Sequence, residues 1–293
     1  MNVSCKIVKK GILVTMIMIL FAGALSTESA SAQKVLVNIW DGAEWSKIQS
    51  LFHAGSLPNL ERVGPGPLFQ LTCNIAYFSG CGCEECDMRS TTKPQNATML
   101  TGVLADVHGV YSNSCYQLIP DGLTVYEQIE DADNSIQTAH ISSKPENFGE
   151  PTFGNIASDV DYFVADSMAP NAAATHAIDL INAWHDQDFF IVCHFKKPDS
   201  TGHTFGIGSK EYKKAIRACD RQLGKLLDAL DARGIRGQTK VYVLSDHGFG
   251  TPDPLGHIYA PNTFFVSNDS GIAQDLYMLD IANILLGNFG LSP

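Results

Sequence analysis

Three short runs of the chain are predominantly apolar without strict alternation, and each is followed closely by a polar residue. "KVLVNIW" (34–40) runs into Asp41, "FFIVCHF" (189–195) is followed by Asp199, and "KVYVLS" (240–245) runs into Asp246 and His247. A strand with one wet face alternates apolar and polar residues, whereas a run without alternation has both faces covered. "TFFV" (263–266) has the same character. Helical patterns lie between these runs. The clearest is "KEYKKAIRACDRQLGKLLDALDARG" (210–234), where Ile216, Leu223, Leu226, Leu227 and Leu230 recur at helical spacing and Gly234 supplies a stop. This alternation predicts an α/β fold in which a mainly parallel central sheet carries helices on both faces, as a single domain over 33–293.

In open α/β sheets, ligands bind beyond the carboxyl ends of the strands. Asp41, Asp199 and the Asp246-His247 pair all fall on that edge, so residues far apart in sequence are expected to share one site. His203 follows Asp199 by four residues, and His257 follows Asp246 by eleven. Asp199 and His203 share a face if their segment is helical. Three carboxylates and three imidazoles suffice to hold two divalent metal ions. Mixed His/Asp sets favour zinc, with iron and manganese also compatible. Each fragment alone has a plain reading, "DHG" as a turn and "DxxxH" as a polar loop. Their common placement on one edge is what points to a site.

The segment "TTKPQNATMLTG" predicts a helix from near Pro94 to a stop at Gly102. Thr92 then lies at or just before the helix N-terminus, where free N–H groups and the helix dipole attract anions. A hydroxyl that also touches a divalent cation ionises near neutral pH; metal-bound water falls from about 15.7 to about 7. The alternative reading of Thr92 is a helix cap.

Lys6, Lys9 and Lys10, the run "GILVTMIMILFAGAL" and small residues at Ala30 and Ala32 predict a signal peptide over 1–32, cleaved after Ala32. The alternative is an uncleaved anchor. The signal reading makes the domain secreted or periplasmic. Cys73, Cys81, Cys83, Cys86, Cys115, Cys193 and Cys219 would then meet an oxidising compartment, and two or three disulfides are expected. "CGCEEC" (81–86) is too tightly spaced for a standard zinc module and reads as a disulfide-stapled loop, with a soft metal site as the alternative. The net charge is −11, and the leading segment holds three lysines against one glutamate, so the remainder is more acidic still. That charge argues against a nucleic-acid-binding surface and against anionic lipid. No second run approaches a membrane span, so no stable membrane partner is expected after signal cleavage.

"KPDSTGHTFG", "SDHGFG" and "TKPQNATMLTGVLADVHGVYSN" resemble motifs of the alkaline phosphatase superfamily, in its nucleotide pyrophosphatase/phosphodiesterase branch. The resemblance implies that Asp41, Thr92, Asp246 and His247 surround one metal and that Asp199, His203 and His257 hold the other. It implies that Thr92 is the nucleophile, that Asn113 donates to a non-bridging oxygen, and that the partner is a small-molecule phosphate ester. The competing reading of Asn113 is a turn residue. The chain departs from the branch at Lys93, where an aromatic residue is usual, and in the short step to His257. Lys144, in "ISSKPEN", falls where some monoesterase relatives place a phosphate-contacting lysine; its competing reading is an ordinary surface lysine. The expected function is a two-metal phosphoric ester hydrolase. The alternatives are a phosphoryl-group transferase, a sulfatase of the same superfamily, or a binding protein without chemistry. Sulfatases use a formylglycine made from Cys or Ser, which Thr92 cannot become.

Overall fold

The computed structural model describes residues 33–64, 68–77, 87–148, 154–250, 253, 255–272 and 275–292. The first half of the chain gives β1 (Lys34–Trp40), α1 (Trp45–His53), α2 (Pro58–Glu61), β2 (Phe69–Thr72), β3 (Ala76–Tyr77), β4 (Asp87–Met88), α3 (Thr92–Thr101), α4 (Ala105–His108), α5 (Val125–Ala132) and β5 (Gln137–Ser142). The second half gives α6 (Pro145–Phe148), α7 (Gly154–Ser158), β6 (Tyr162–Ala165), α8 (Pro170–Ala183), β7 (Phe189–Phe195), α9 (Lys197–Phe205), α10 (Lys210–Ala232), β8 (Thr239–Leu244), β9 (Asn262–Ser267), β10 (Leu276–Tyr277) and α11 (Asp280–Gly287).

The predominantly apolar runs form the middle of the main sheet, ordered β10-β2-β9-β8-β1-β7-β5-β6. β1 is paired in parallel with both β7 and β8, so Ile39 lies beside His194 on one side and Leu244 on the other. β9 runs antiparallel to β8 and to β2. β9 is the element that follows β8 in the chain, and an antiparallel neighbour needs no helical crossover. The expected mainly parallel sheet is therefore present, with "TFFV" as its reversed strand.

Side chains on β1 alternate between two cores, following the two-residue period of a strand. Leu36 and Trp40 pack with Ile191, Phe195, Ile216 and Leu223 on the face covered by α8 and α10. Val35, Val37 and Ile39 pack with Val192, Leu244, Leu100 and Leu285 on the face covered by α3, α5 and α11. α10 buries all five apolar residues of its predicted stripe. Its Ser209 cap accepts from Tyr212 N–H, and the chain leaves past Gly234 at φ 69°.

The expected signal segment and "CGCEEC" lie outside the described residues. Cys115 is disulfide-bonded. Cys73, Cys193 and Cys219 are buried free thiols. Among the described residues, no helix is long and apolar enough to cross a membrane.

Candidate active site

The carboxyl edge of the sheet gathers the polar residues singled out in the sequence. β1 ends into Asp41, β8 into Asp246 and His247, and β5 into the turn that carries Lys144. α9 begins two residues after β7 and presents Asp199 and, one turn later, His203. α3 points its first residue, Thr92, at the same place. That helix starts two residues earlier than its proline suggested, because Pro is tolerated anywhere in a first turn. The cap position belongs to Thr91, so Thr92 is not the cap.

Close approach of these elements depends on missing side chains. Gly42 has φ +66°, and a Cβ there would lie 3.0 Å from the Asp199 backbone and 2.7 Å from the Phe249 ring. A Cβ on Gly202 would also meet that ring at 2.7 Å. Tyr212 of α10 steadies the turn after Asp41, donating its hydroxyl to Gly42 O at 2.6 Å and accepting Glu44 N–H at 2.9 Å.

Two sets of contacts meet in the site. His247 Nε2 is 3.2 Å from Asp41 Oδ1, 3.3 Å from Thr92 Oγ1 and 3.7 Å from Asp246 Oδ2. His203 Nε2 is 3.3 Å from Asp199 Oδ1 and 3.0 Å from His257 Nε2, itself 3.5 Å from Asp199 Oδ1. The seven residues expected to surround two ions are thus together. Ligand atoms of Asp199, His247 and His257 lie within 4.8 Å of one another, as do those of Asp41, His194 and Asp246.

The three expected histidines share one feature. Nδ1 of His203, His247 and His257 faces the backbone carbonyls of Leu255, Gly248 and Ser90 at 2.7, 2.9 and 3.0 Å. A carbonyl only accepts, so each Nδ1 carries a proton and each Nε2 faces the site, able to offer a lone pair to a cation once it gives up any proton of its own, the usual arrangement of a metal-binding imidazole.

Lys144 sits between the sets, which excludes the surface-lysine reading. It is 8% exposed, and its Nζ is 2.9 Å from Asp41 Oδ2, 2.7 Å from Asp199 Oδ2 and 2.8 Å from Thr92 Oγ1. Burial and then Asp41 charge push the Asp199 carboxyl up, but Lys144 and His203 bring it down to about 2. Asp41 is raised by burial yet held well below its ordinary value by Lys144, with His194 and His247 close by. Burial lowers His247, and the neighbouring Asp246 and Asp41 overcome it and raise the group to about 9. Burial and the Asp41 charge raise Asp246.

Asp41 Oδ1 and Asp199 Oδ1 are buried without a formed hydrogen bond and face only imidazole nitrogens among the contacts above, whereas Asp41 Oδ2 has the Lys144 ammonium at 2.9 Å. Orphaned buried carboxylate oxygens are costly. Beside the outward-facing Nε2 atoms, they make a donor set that fits divalent cations.

Asn113 and Lys93 complete the surroundings. Asn113 Oδ1 accepts the Lys93 backbone N–H at 2.9 Å, which ties the asparagine to the first turn of α3. Lys93, where the resemblance led one to expect an aromatic residue, is buried and lays its Nζ 3.6 Å from the centroid of the Tyr116 ring. His194 was passed over in the sequence. The one signal was an imidazole near the end of the apolar run "FFIVCHF".

The description of the type I phosphodiesterase / nucleotide pyrophosphatase family matches residues 160–285, which include Asp199, His203, Asp246, His247 and His257. Human ectonucleotide pyrophosphatase/phosphodiesterase family member 7 is 24% identical over 249 residues, 79% of this chain and 51% of that protein. Mouse family member 1 is 24% identical over 63% of this chain and 22% of its own length. The structure of murine ectonucleotide pyrophosphatase/phosphodiesterase 5 in complex with AMP overlays with a TM-score of 0.66 at 14% identity, covering 89% of this chain and 96% of that one. Residues 160–285 thus match the type I phosphodiesterase / nucleotide pyrophosphatase family, and the chain as a whole is similar to proteins of that family. A 2-O GAG sulfatase shares the fold of this phosphodiesterase-like chain, with a TM-score of 0.62 at 13% identity over 89% of this chain and 71% of its own. The phosphodiesterase-like chain spans about half the length of the human relative.

Proposed function

We propose that the chain is an exported two-metal phosphoric ester hydrolase with Thr92 as nucleophile. The observation that carries this reading is the position of Thr92 Oγ1. It stands at the first turn of a buried helix, 2.8 Å from Lys144 Nζ and 3.3 Å from His247 Nε2. Asp41, Thr92, Asp246 and His247 would hold one divalent ion, and Asp199, His203 and His257 the other, zinc suiting both donor sets. When bound, the ions supply the positive charge that lets an anionic ester enter among three buried carboxylates and that favours the ionised threonine oxygen.

The chain's own residues do the rest. Thr92 Oγ attacks phosphorus in line, a P–O bond forms, and the bond to the leaving alcohol breaks. Water then cleaves the phospho-threonine and restores the hydroxyl. Lys144, released from Asp41 and Asp199, places its ammonium against the phosphoryl oxygens. Asn113 has its carbonyl oxygen engaged by Lys93 N–H, which leaves its NH₂ to donate to a non-bridging oxygen. Positioned donors of this kind carry most of the rate in phosphoryl transfer.

The substrate is a small phosphate ester. The human and murine relatives are named for pyrophosphatase and phosphodiesterase activity, which supports a diester or pyrophosphate. A parallel assay of mono- and bis-(p-nitrophenyl) phosphate with zinc-loaded protein tests the reading; turnover of neither would defeat it. Sulfatases share the fold, but Thr92 stands where their aldehyde precursor would be Cys or Ser, so p-nitrophenyl sulfate should not be turned over. A transferase would pass the group to an alcohol in preference to water, and added acceptor would reveal it. Export with cleavage after Ala32 is part of the same proposal, checked by the N-terminal residue of secreted material.

A further inference from the structure

We infer that His194 is a positioning residue for this site: its Nε2–H holds the second oxygen of Asp41 and so fixes that carboxylate for its ion. The inference rests on the hydrolase reading above. His194 belongs to β7, directly beside Ile39 of β1, in a strand whose every residue is buried. It is fully buried, and its Nε2 lies 3.3 Å from Asp41 Oδ2. Its ring centroid is 4.8 Å from that of Phe148, tilted by 57°, so an aromatic wall sets its orientation. Ser143 donates both N–H and hydroxyl to the His194 carbonyl, which fixes the main chain at the same point.

Two features separate His194 from the three expected metal-binding histidines. First, its buried Nδ1 has no hydrogen-bond partner, and its Nε2 stands 3.3 Å from Asp41 Oδ2, close enough to donate with a small turn of the ring. The tautomer is therefore not held in the form that offers Nε2 as a lone pair. Nε2 can carry the proton, and the group it then addresses is Asp41 Oδ2. Second, Asp41 uses its two oxygens differently. Oδ1 faces His247, while Oδ2 faces Lys144 and His194. Once Lys144 turns to substrate, His194 is the imidazole left at Oδ2. Carboxylates that bind metals are themselves hydrogen-bonded, and losing such an outer partner lowers metal affinity by about 10- to 100-fold. Sequence would not show this role, because a lone histidine inside an apolar strand reads as core.

The test uses the full exported domain with labelled histidine nitrogens and cadmium as probe. With cadmium bound, His203, His247 and His257 should each show nitrogen–cadmium coupling, while His194 should show none and keep a proton on Nε2. In chelator competition with zinc, His194→Phe should weaken one of the two ions by about 10- to 100-fold, and His194→Gln, which retains a donor, should recover most of the loss. Cadmium coupling at His194 would make it a direct ligand and overturn the inference. So would unchanged zinc affinity in a folded His194→Phe. If that variant does not fold, the wild-type nitrogen spectrum decides. Wild-type protein that binds neither ion would overturn the hydrolase reading itself, a failure distinct from the others.

Discussion

Thr92 separates chemistry from architecture at the scale of one residue, because Thr91 already occupies the cap position of α3. Thr92→Ala should keep its metal and lose nearly all turnover, while Thr92→Ser keeps part; elemental analysis beside a rate assay checks both. An alanine variant with wild-type rate would mean that water attacks directly. Lys144 carries a different expectation. It is the ammonium paired with two buried carboxylates, and removing one partner of a buried pair costs about 3 to 5 kcal/mol. Lys144→Met should therefore unfold at markedly lower urea when metal-free, and zinc should restore most of the difference. Equal stability with and without zinc would contradict that. Asn113→Ala should lower turnover about a hundredfold to a thousandfold, by loss of one transition-state donor. It should also lose roughly 1 kcal/mol of stability, because its Oδ1 caps Lys93 N–H. A stability loss with the rate per folded molecule intact would leave Asn113 purely structural.

At the scale of elements, much was legible beforehand. The runs ending at Asp41 and Asp246 announced themselves as strands because predominantly apolar stretches without strict alternation are covered on both faces. The i,i+4 spacing of Asp199 and His203 became one turn of α9, and the salient stripe of α10 is buried as expected. What the sequence concealed depends on partners distant along the chain. The direction of β9 shows in its antiparallel pairing with β8 and β2 and cannot be read from "TFFV". The burial of Lys144 follows from Asp41 and Asp199 closing around it. The resemblance gives Asn113 as a donor, with a turn residue as the competing reading, but its hold on the start of α3 was not legible. Gly202 gives a prediction at this scale. In Gly202→Ala the new methyl would meet Phe249, whose ring packs edge-on against His203 and His257 with centroids 5.0 and 5.1 Å away. Overpacking of this kind costs about 1 to 3 kcal/mol, and the displaced ring should loosen the ion held by Asp199. Calorimetry with zinc titration would detect both; wild-type affinity would show that the ring can yield.

For the whole molecule, two imidazoles outside the expected ligand set contribute to the response to acid. Burial lowers His108 to about 4, and burial with the nearby His194 lowers His140 to about 3. Both are bases whose folded pKa lies below the unfolded value of about 6.5. Above that value neither state is protonated and they have no effect. As pH falls below it the unfolded chain takes up protons that the fold refuses, so stability drops from about 6.5 down to about 4 for His108 and about 3 for His140. Urea midpoints should fall across that window, and the fall should shrink in His108→Gln. A flat profile would mean that both rings are protonated in place.

The carbonyl contacts to His203, His247 and His257 have a consequence for how freely this protein can vary. Every amino acid owns a carbonyl, so no particular side chain at Ser90, Gly248 or Leu255 is needed to set those three rings. The orientation is inherited from the path of the chain. Lineages can exchange the surrounding residues wholesale and still present the same nitrogens, provided the turns keep their shape. Insertions and deletions, and not substitutions, are then the changes that such a site tolerates least.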